Sequence, residues 1–108
     1  MKGTQLGELQ EVILLSILIL DDDAYGLKIQ QDISERLNRR LSRGALHTAL
    51  TRLSEKGFVT SHYGGATQER GGRRKRYYAL TVSGKASLRE MKALRDEMWS
   101  LVPSTQLL

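Results

Sequence analysis

Between Arg43 and Arg52 the chain carries two guanidinium groups, the imidazole of His47 and the hydroxyls of Thr48 and Thr51, spaced so that a helix would present them together. Such groups can read nucleic acid: arginine matches guanine edges in a major groove, and threonine or histidine can hydrogen-bond bases or phosphates. A plain solvated helix face has the same makeup, so this face alone decides nothing. A second set follows it. Residues 66–81 hold Arg70, Arg73, Arg74, Lys75 and Arg76 against the single acid Glu69, a net +4 in a chain whose total is +5. Most of the excess charge therefore sits on one segment, and phosphates are the natural counterpart. Other chemistry finds little support. His47 and His62 are the only histidines, and neither has an acidic or thiol neighbour at metal-ligand spacing. The run GGRRKRYY leads into a strand-like segment and fails the phosphate-loop and dinucleotide patterns. Nothing indicates a nucleophile–base pair, and the reading is of a non-enzyme without cofactor.

The elements that must position these groups can be read around them. Leu46, Ala49, Leu50 and Leu53 recur at i, i+3, i+4 and i+7, predicting a helix over about 42–56 with a core-facing stripe opposite the polar face. Ser42 stands where an N-cap belongs, and Gly57 stands just past Lys56, where a positive φ ends a helix. Phe58–Tyr63 and Lys75–Thr81 are β-branched and aromatic, hence two strands. The polar GGATQERGGRR between them carries two Gly-Gly pairs that permit unusual backbone angles. A helix with a polar face followed by a basic hairpin is the DNA-binding half of a winged helix, with the wing at about 58–81 meeting phosphates or the minor groove.

Three segments, AYGLKI (24–29), SRGALHTALTRLSEKGFV (42–59) and ERGGRRKRYYALTVSG (69–84), resemble the PadR-like family of bacterial transcriptional regulators. The match covers about residues 6–100, and the single C-terminal helix is similar to the short subfamily. The Gly-Gly-Arg-Arg-Lys-Arg run leading to Tyr77, Tyr78 and Leu80 is the specific part of the signal. One position departs from the pattern: where the family usually has tyrosine after the Gly-x-Leu of the recognition helix, this chain has His47. A contact carried by the tyrosine hydroxyl would have to pass to the imidazole. The resemblance implies a homodimer held mainly by the terminal helices. It also implies a region near the C-terminal helix where short members take planar drugs or phenolic compounds.

At 108 residues, with 40% apolar and 27% charged content, the chain fits one soluble domain with a modest core. Its pI near 9.8 favours an anionic partner. The absence of cysteine excludes a disulfide framework and accords with the cytoplasm. Val12–Leu20 (VILLSILIL) is apolar on all sides, but nine residues fall short of the roughly 20 that span a membrane. Acidic flanks, Glu8 and Glu11 before it and three aspartates after, argue against a secretory signal. A helix buried on two sides remains, one side on its own core and the other on a second subunit. Asp21–Asp23 are expected to open the next helix, with their carboxylates on its free N–H groups. That helix carries a stripe of Tyr25, Ile29, Ile33 and Leu37, and Gly26 on it predicts close approach by another helix. Arg39 and Arg40 precede the recognition helix, where phosphate contact and plain solvation are equally open.

Thr81 is a suitable N-cap for a last helix over Val82–Val102, which Pro103 stops. Met91, Leu94, Met98 and Leu101 fall on heptad a and d positions, a seam for homodimerisation or for core packing. Trp99, the only tryptophan, is an interface or core aromatic. With Met98 and Leu101 it would otherwise line a pocket for a planar aromatic effector, as the resemblance implies. Residues 104–108 are expected to be disordered. The expected architecture is mainly α with a small β-hairpin: a winged helix-turn-helix over 1–81, then a dimerisation helix and tail over 82–108. The expected function is a sequence-specific, homodimeric regulator of transcription, more specifically a repressor on double-stranded DNA, with no membrane association. The alternatives are a winged-helix protein-interaction module and a non-specific architectural or RNA-binding protein.

Overall fold

The computed structural model describes residues 6–64 and 74–108. Four helices and one hairpin follow in the order α1 (Glu8–Leu20), α2 (Gly26–Leu37), α3 (Arg43–Glu55), β1 (Val59–Gly64), β2 (Lys75–Leu80) and α4 (Val82–Leu101). The shape is elongated, 59 × 29 × 22 Å. The architecture is mainly helical with a two-stranded antiparallel hairpin, as expected.

One core joins the elements. Ile13, Leu14 and Ile17 of α1 pack with Ala24, with Ile29 and Ile33 of α2, and with Leu46, Ala49, Leu50 and Leu53 of α3; Phe58, Val59 and Leu88 close it. Each fully buried leucine or isoleucine contributes on the order of 2 kcal/mol of apolar transfer. Leu6 is buried and Leu9 packs against the cluster, so the chain is anchored from just before α1.

Helix α1 is buried on one side only. Leu15, Leu18 and Ile19 remain 43%, 44% and 56% exposed, leaving a second apolar face open. Its buried side also holds Ser16, whose hydroxyl donates to Asp32 Oδ2 at 2.7 Å, while Arg36 Nε donates to the same oxygen at 3.0 Å. Burial raises the Asp32 carboxyl, yet the hydrogen bonds from Arg36 and Ser16 and the Arg36 charge outweigh it and hold the group below the ordinary aspartate value.

The start of α2 differs from expectation. Asp21–Asp23 form their own 3-10 turn, and α2 begins at Gly26 after Tyr25, so the aspartates lie outside its first turn. The reason lies in the hairpin: Asp21 takes a positive φ of 54° to end α1, and Tyr25 forms a bridge with Tyr77 of β2. Tyr78 N–H donates to Ala24 O at 2.9 Å. Tyr25 thus leaves the predicted stripe; Ile29 and Ile33 are fully buried in it, and Leu37, on the helix's last residue, is 38% exposed. A Cβ at Gly26 would meet nothing within 4 Å, so no helix approaches it closely. The α2 end is closed by Asn38 in the left-handed region, with Arg39 N–H donating to Ser34 O at 3.1 Å.

Helix α4 begins where the sequence indicates: Thr81 caps it by accepting from Gly84 N–H at 3.0 Å. The same hydroxyl donates to Gly57 O at 2.6 Å, and Thr81 N–H donates to Phe58 O at 3.0 Å. Gly84 lies so close that a Cβ there would stand 2.2 Å from Phe58 O. The first turn of α4 is therefore seated directly on the segment that leaves α3. Beyond Pro103, Ser104–Leu107 form a 3-10 turn in place of the expected disorder, with Gln106 N–H donating to Pro103 O. None of the helices is long and apolar enough to cross a membrane, among the described residues.

Candidate nucleic-acid interface

The geometry of α3 follows from its two ends and its stripe. Ser42 is the N-cap, its hydroxyl accepting from Ala45 N–H at 3.1 Å. At the other end Gly57 has φ +78°, with Gly57 N–H donating to Ser54 O and Phe58 N–H to Leu53 O, both at 2.9 Å. This Schellman arrangement satisfies the last carbonyls and turns the chain into β1. Leu46, Ala49, Leu50 and Leu53 are all buried, which fixes the rotation of the helix. Arg43, His47, Thr48, Thr51 and Arg52 are all exposed as a result, together with Gly44 and Glu55.

Two clefts flank that face. On the α2 side a cleft of about 280 Å³ is bordered by Gly26, Gln30, Arg43, His47 and, from β2, Tyr78. On the other side a cleft of about 530 Å³ lies between the start of α1 and the face carrying Thr48 and Arg52. Arg43 and His47 therefore stand beside the hairpin, and Thr48 and Arg52 stand on the opposite flank. The ion pairs among the described residues are Lys28–Asp23, Arg36–Asp32, Lys92–Asp96 and Arg95–Glu11. Arg39, Arg40, Arg43, Arg52 and Arg74 enter none of them. Their charge is not neutralised by carboxylates among the described residues.

The hairpin's strands pair in a register of Val59 with Leu80 through Gly64 with Lys75. Its aromatic groups build the base. The His62 ring stacks on Tyr77 at 5.8 Å, Tyr77 meets Tyr25 edge-on at 5.6 Å, and Lys75 Nζ lies 4.3 Å from the Tyr25 ring centre. Arg76 Nε donates to Ser61 Oγ at 2.9 Å, and its guanidinium lies against Tyr63 and Tyr78 at 5.7 and 5.8 Å. Arg76 is thus engaged in holding the hairpin together, and Lys75 also has a seat within the fold. Arg74 is exposed just before β2. Arg70 and Arg73 lie outside the described residues.

On α4, Met91 packs partly against the molecule's own core, whereas Leu94, Met98 and Leu101 are 49%, 59% and 74% exposed. Trp99 is one residue on from Met98, about 100° around the helix. It lines a groove of about 530 Å³ between α1 and α4 with Leu15, Leu18 and Leu88. Trp99 and Met98 also border a smaller pocket of about 220 Å³ with Val102 and Leu107; Leu101 lines neither. Gly44, the one position of the exposed face of α3 without a side chain, is not among the residues that the polar pattern of α3 singles out. The available signal is a glycine inside an otherwise regular amphipathic helix.

The sequence profile described as the transcriptional regulator PadR-like family matches residues 14–90. The chain is similar to a PadR-like transcription factor from Bacteroides fragilis, at 28% identity and a TM-score of 0.68 over 85% of this chain and 84% of that one. It is also similar to a PadR family transcription regulator from Clostridium difficile, at 30% identity and a TM-score of 0.65 over 83% and 92%. A protein from Lysinibacillus sphaericus described as uncharacterised is 39% identical over 87 residues, covering 79% of this chain and 75% of the relative. With the profile spanning the core helices, the exposed face of α3 and the hairpin, this chain belongs to the PadR-like family of DNA-binding transcriptional regulators.

Proposed function

We infer that this regulator acts in the cytoplasm as a homodimeric repressor that reads a pseudo-palindromic operator. The observation that carries the DNA-facing part is the face of α3: Arg43, His47, Thr48, Thr51 and Arg52 are exposed together on a helix whose rotation is fixed by four buried side chains, next to a basic hairpin. Arginine and threonine on such a face suit base edges, and the wing cations Arg70, Arg73 and Arg74 suit phosphates. Ser42 at the helix start, with Lys75 and Arg76 at the hairpin base, completes the proposed contact set. The last two are partly committed to ring contacts within the fold.

Dimerisation is supported by unpartnered apolar surface. Leu15, Leu18 and Ile19 of α1 and Leu94, Met98, Trp99 and Leu101 of α4 are exposed, more than a soluble monomer of this size usually leaves open. Residues 82–108 serve as the dimerising part and residues 1–81 as the DNA-binding part. Two-fold symmetry then places half-sites about 34 Å apart, or a multiple of that. The groove beside Trp99 would accept a planar aromatic effector, which would act by changing the angle between the two recognition helices.

The test is fluorescence anisotropy with labelled DNA from upstream of the protein's own gene and a scrambled duplex as competitor, at near-physiological salt. Binding that the scrambled duplex cannot displace is the expected result. Equal, salt-sensitive binding to both would point to an architectural role, and no binding to either would favour a protein-interaction module.

A further inference from the structure

Each described glycine can be asked why it is a glycine. Gly57 needs its positive φ, and Gly84 has Phe58 O where a side chain would begin. Gly26 and Gly44 have neither reason, and of the two Gly44 is the one on the exposed face of α3. It lies in the first turn of α3 with no positive φ, and a Cβ built there meets nothing within 4 Å. Glycine is also the weakest helix former apart from proline, and the helix N-cap is already supplied by Ser42. Within the chain, alanine would serve Gly44's position at least as well.

Its location gives the missing side chain a use. Residues three, four and seven on from Gly44 are His47, Thr48 and Thr51, so Gly44 heads the exposed stripe at the N-terminal tip of the helix. In helix-turn-helix docking the N-terminal residues of the recognition helix come nearest the base edges. We propose that Gly44 is a clearance residue: its bare backbone lets the tip of α3 seat deeply enough in the DNA major groove for Thr48 and Thr51 to reach the bases. This rests on the DNA-binding reading above and adds a positioning residue to it. Arginine and threonine side chains supply the contacts; Gly44 sets the depth at which they are made.

The test is a size series, Gly44→Ala and Gly44→Leu, measured by anisotropy on a duplex that the wild-type protein selects from a pool of randomised duplexes. Thermal melting is followed in parallel. The expected result is an affinity lower for Ala and at least tenfold lower for Leu, with melting temperatures equal to or above that of the wild type. Leucine binding within twofold of wild type would overturn the proposal. A loss of affinity that tracks a lowered melting temperature in both variants would also overturn it, by making Gly44 a folding residue. If the wild type selects no duplex at all, the DNA-binding reading fails first; if it selects one and the series is flat, only the clearance role fails.

Discussion

Arg74 and Arg76 stand two residues apart and have different surroundings. Arg76 bonds Ser61 and lies on two tyrosine rings, whereas Arg74 is exposed without a carboxylate partner among the described residues. Arg74→Ala should weaken binding to every duplex and make the dependence of log K on log salt shallower by about 0.9 for each phosphate no longer neutralised, leaving melting unchanged. Arg76→Ala should instead destabilise the hairpin, by about 1 kcal/mol in chemical denaturation, because its hydrogen bond to Ser61 and its ring contacts disappear. Thr51→Ala or His47→Ala should alter preference among duplexes by roughly 1–3 kcal/mol per base contact, a result that equal losses on selected and random DNA would contradict. Asp32 gives a pH prediction. Its folded value lies below its unfolded one, so its contribution is present above the unfolded value and lost as pH falls through the folded one. Melting temperature should therefore fall on acidification below the ordinary aspartate value. Asp32→Asn should flatten that dependence and cost about 1 kcal/mol at neutral pH, because the amide oxygen that Ser16 and Arg36 would then share carries no charge to pair with the Arg36 guanidinium.

At the scale of elements, legibility followed how local the cause was. The cap at Ser42, the stripe of Leu46, Leu50 and Leu53, and the turn at Gly57 are decided within one helix, and all three could be read from spacing. The start of α2 could not, because Ala24 and Tyr25 pair with β2, more than fifty residues away, and no local propensity encodes that competition. Gly26 misled for a related reason: a glycine signals room, and sequence alone does not say whether the chain itself fills it. Spacing puts Trp99 beside the Met98 seam, but a single residue step turns it toward α1. Two glycines carry predictions at this scale. Gly57→Ala should cost about 1–2 kcal/mol through its left-handed backbone. Gly84→Ala should cost about 3 kcal/mol, or abolish folding, since the methyl would meet a backbone carbonyl that cannot turn aside.

For the whole molecule, the proposed homodimer would cover the open apolar faces of α1 and α4. Leu94→Asp should shift the protein to monomer in sedimentation velocity while leaving the circular-dichroism spectrum helical; a dimer that survives would move the interface elsewhere. The seat of α4 on Phe58 has a mechanical consequence. With Thr81 and Gly84 fastened to the exit of α3, a turn of α4 about that joint would be passed to α3 where Gly57 ends one helix and Thr81 begins the other. The 20 residues of α4 make an arm of about 30 Å, and the 13 residues of α3 one of about 20 Å. In the proposed effector response, a shift of about 3 Å at the far end of α4 would be a swing of about 6° and, passed on rigidly, would carry the tip of α3 through about 2 Å. That would be more than half the rise of about 3.4 Å per base pair, enough to take the exposed face of α3 out of register with the proposed operator.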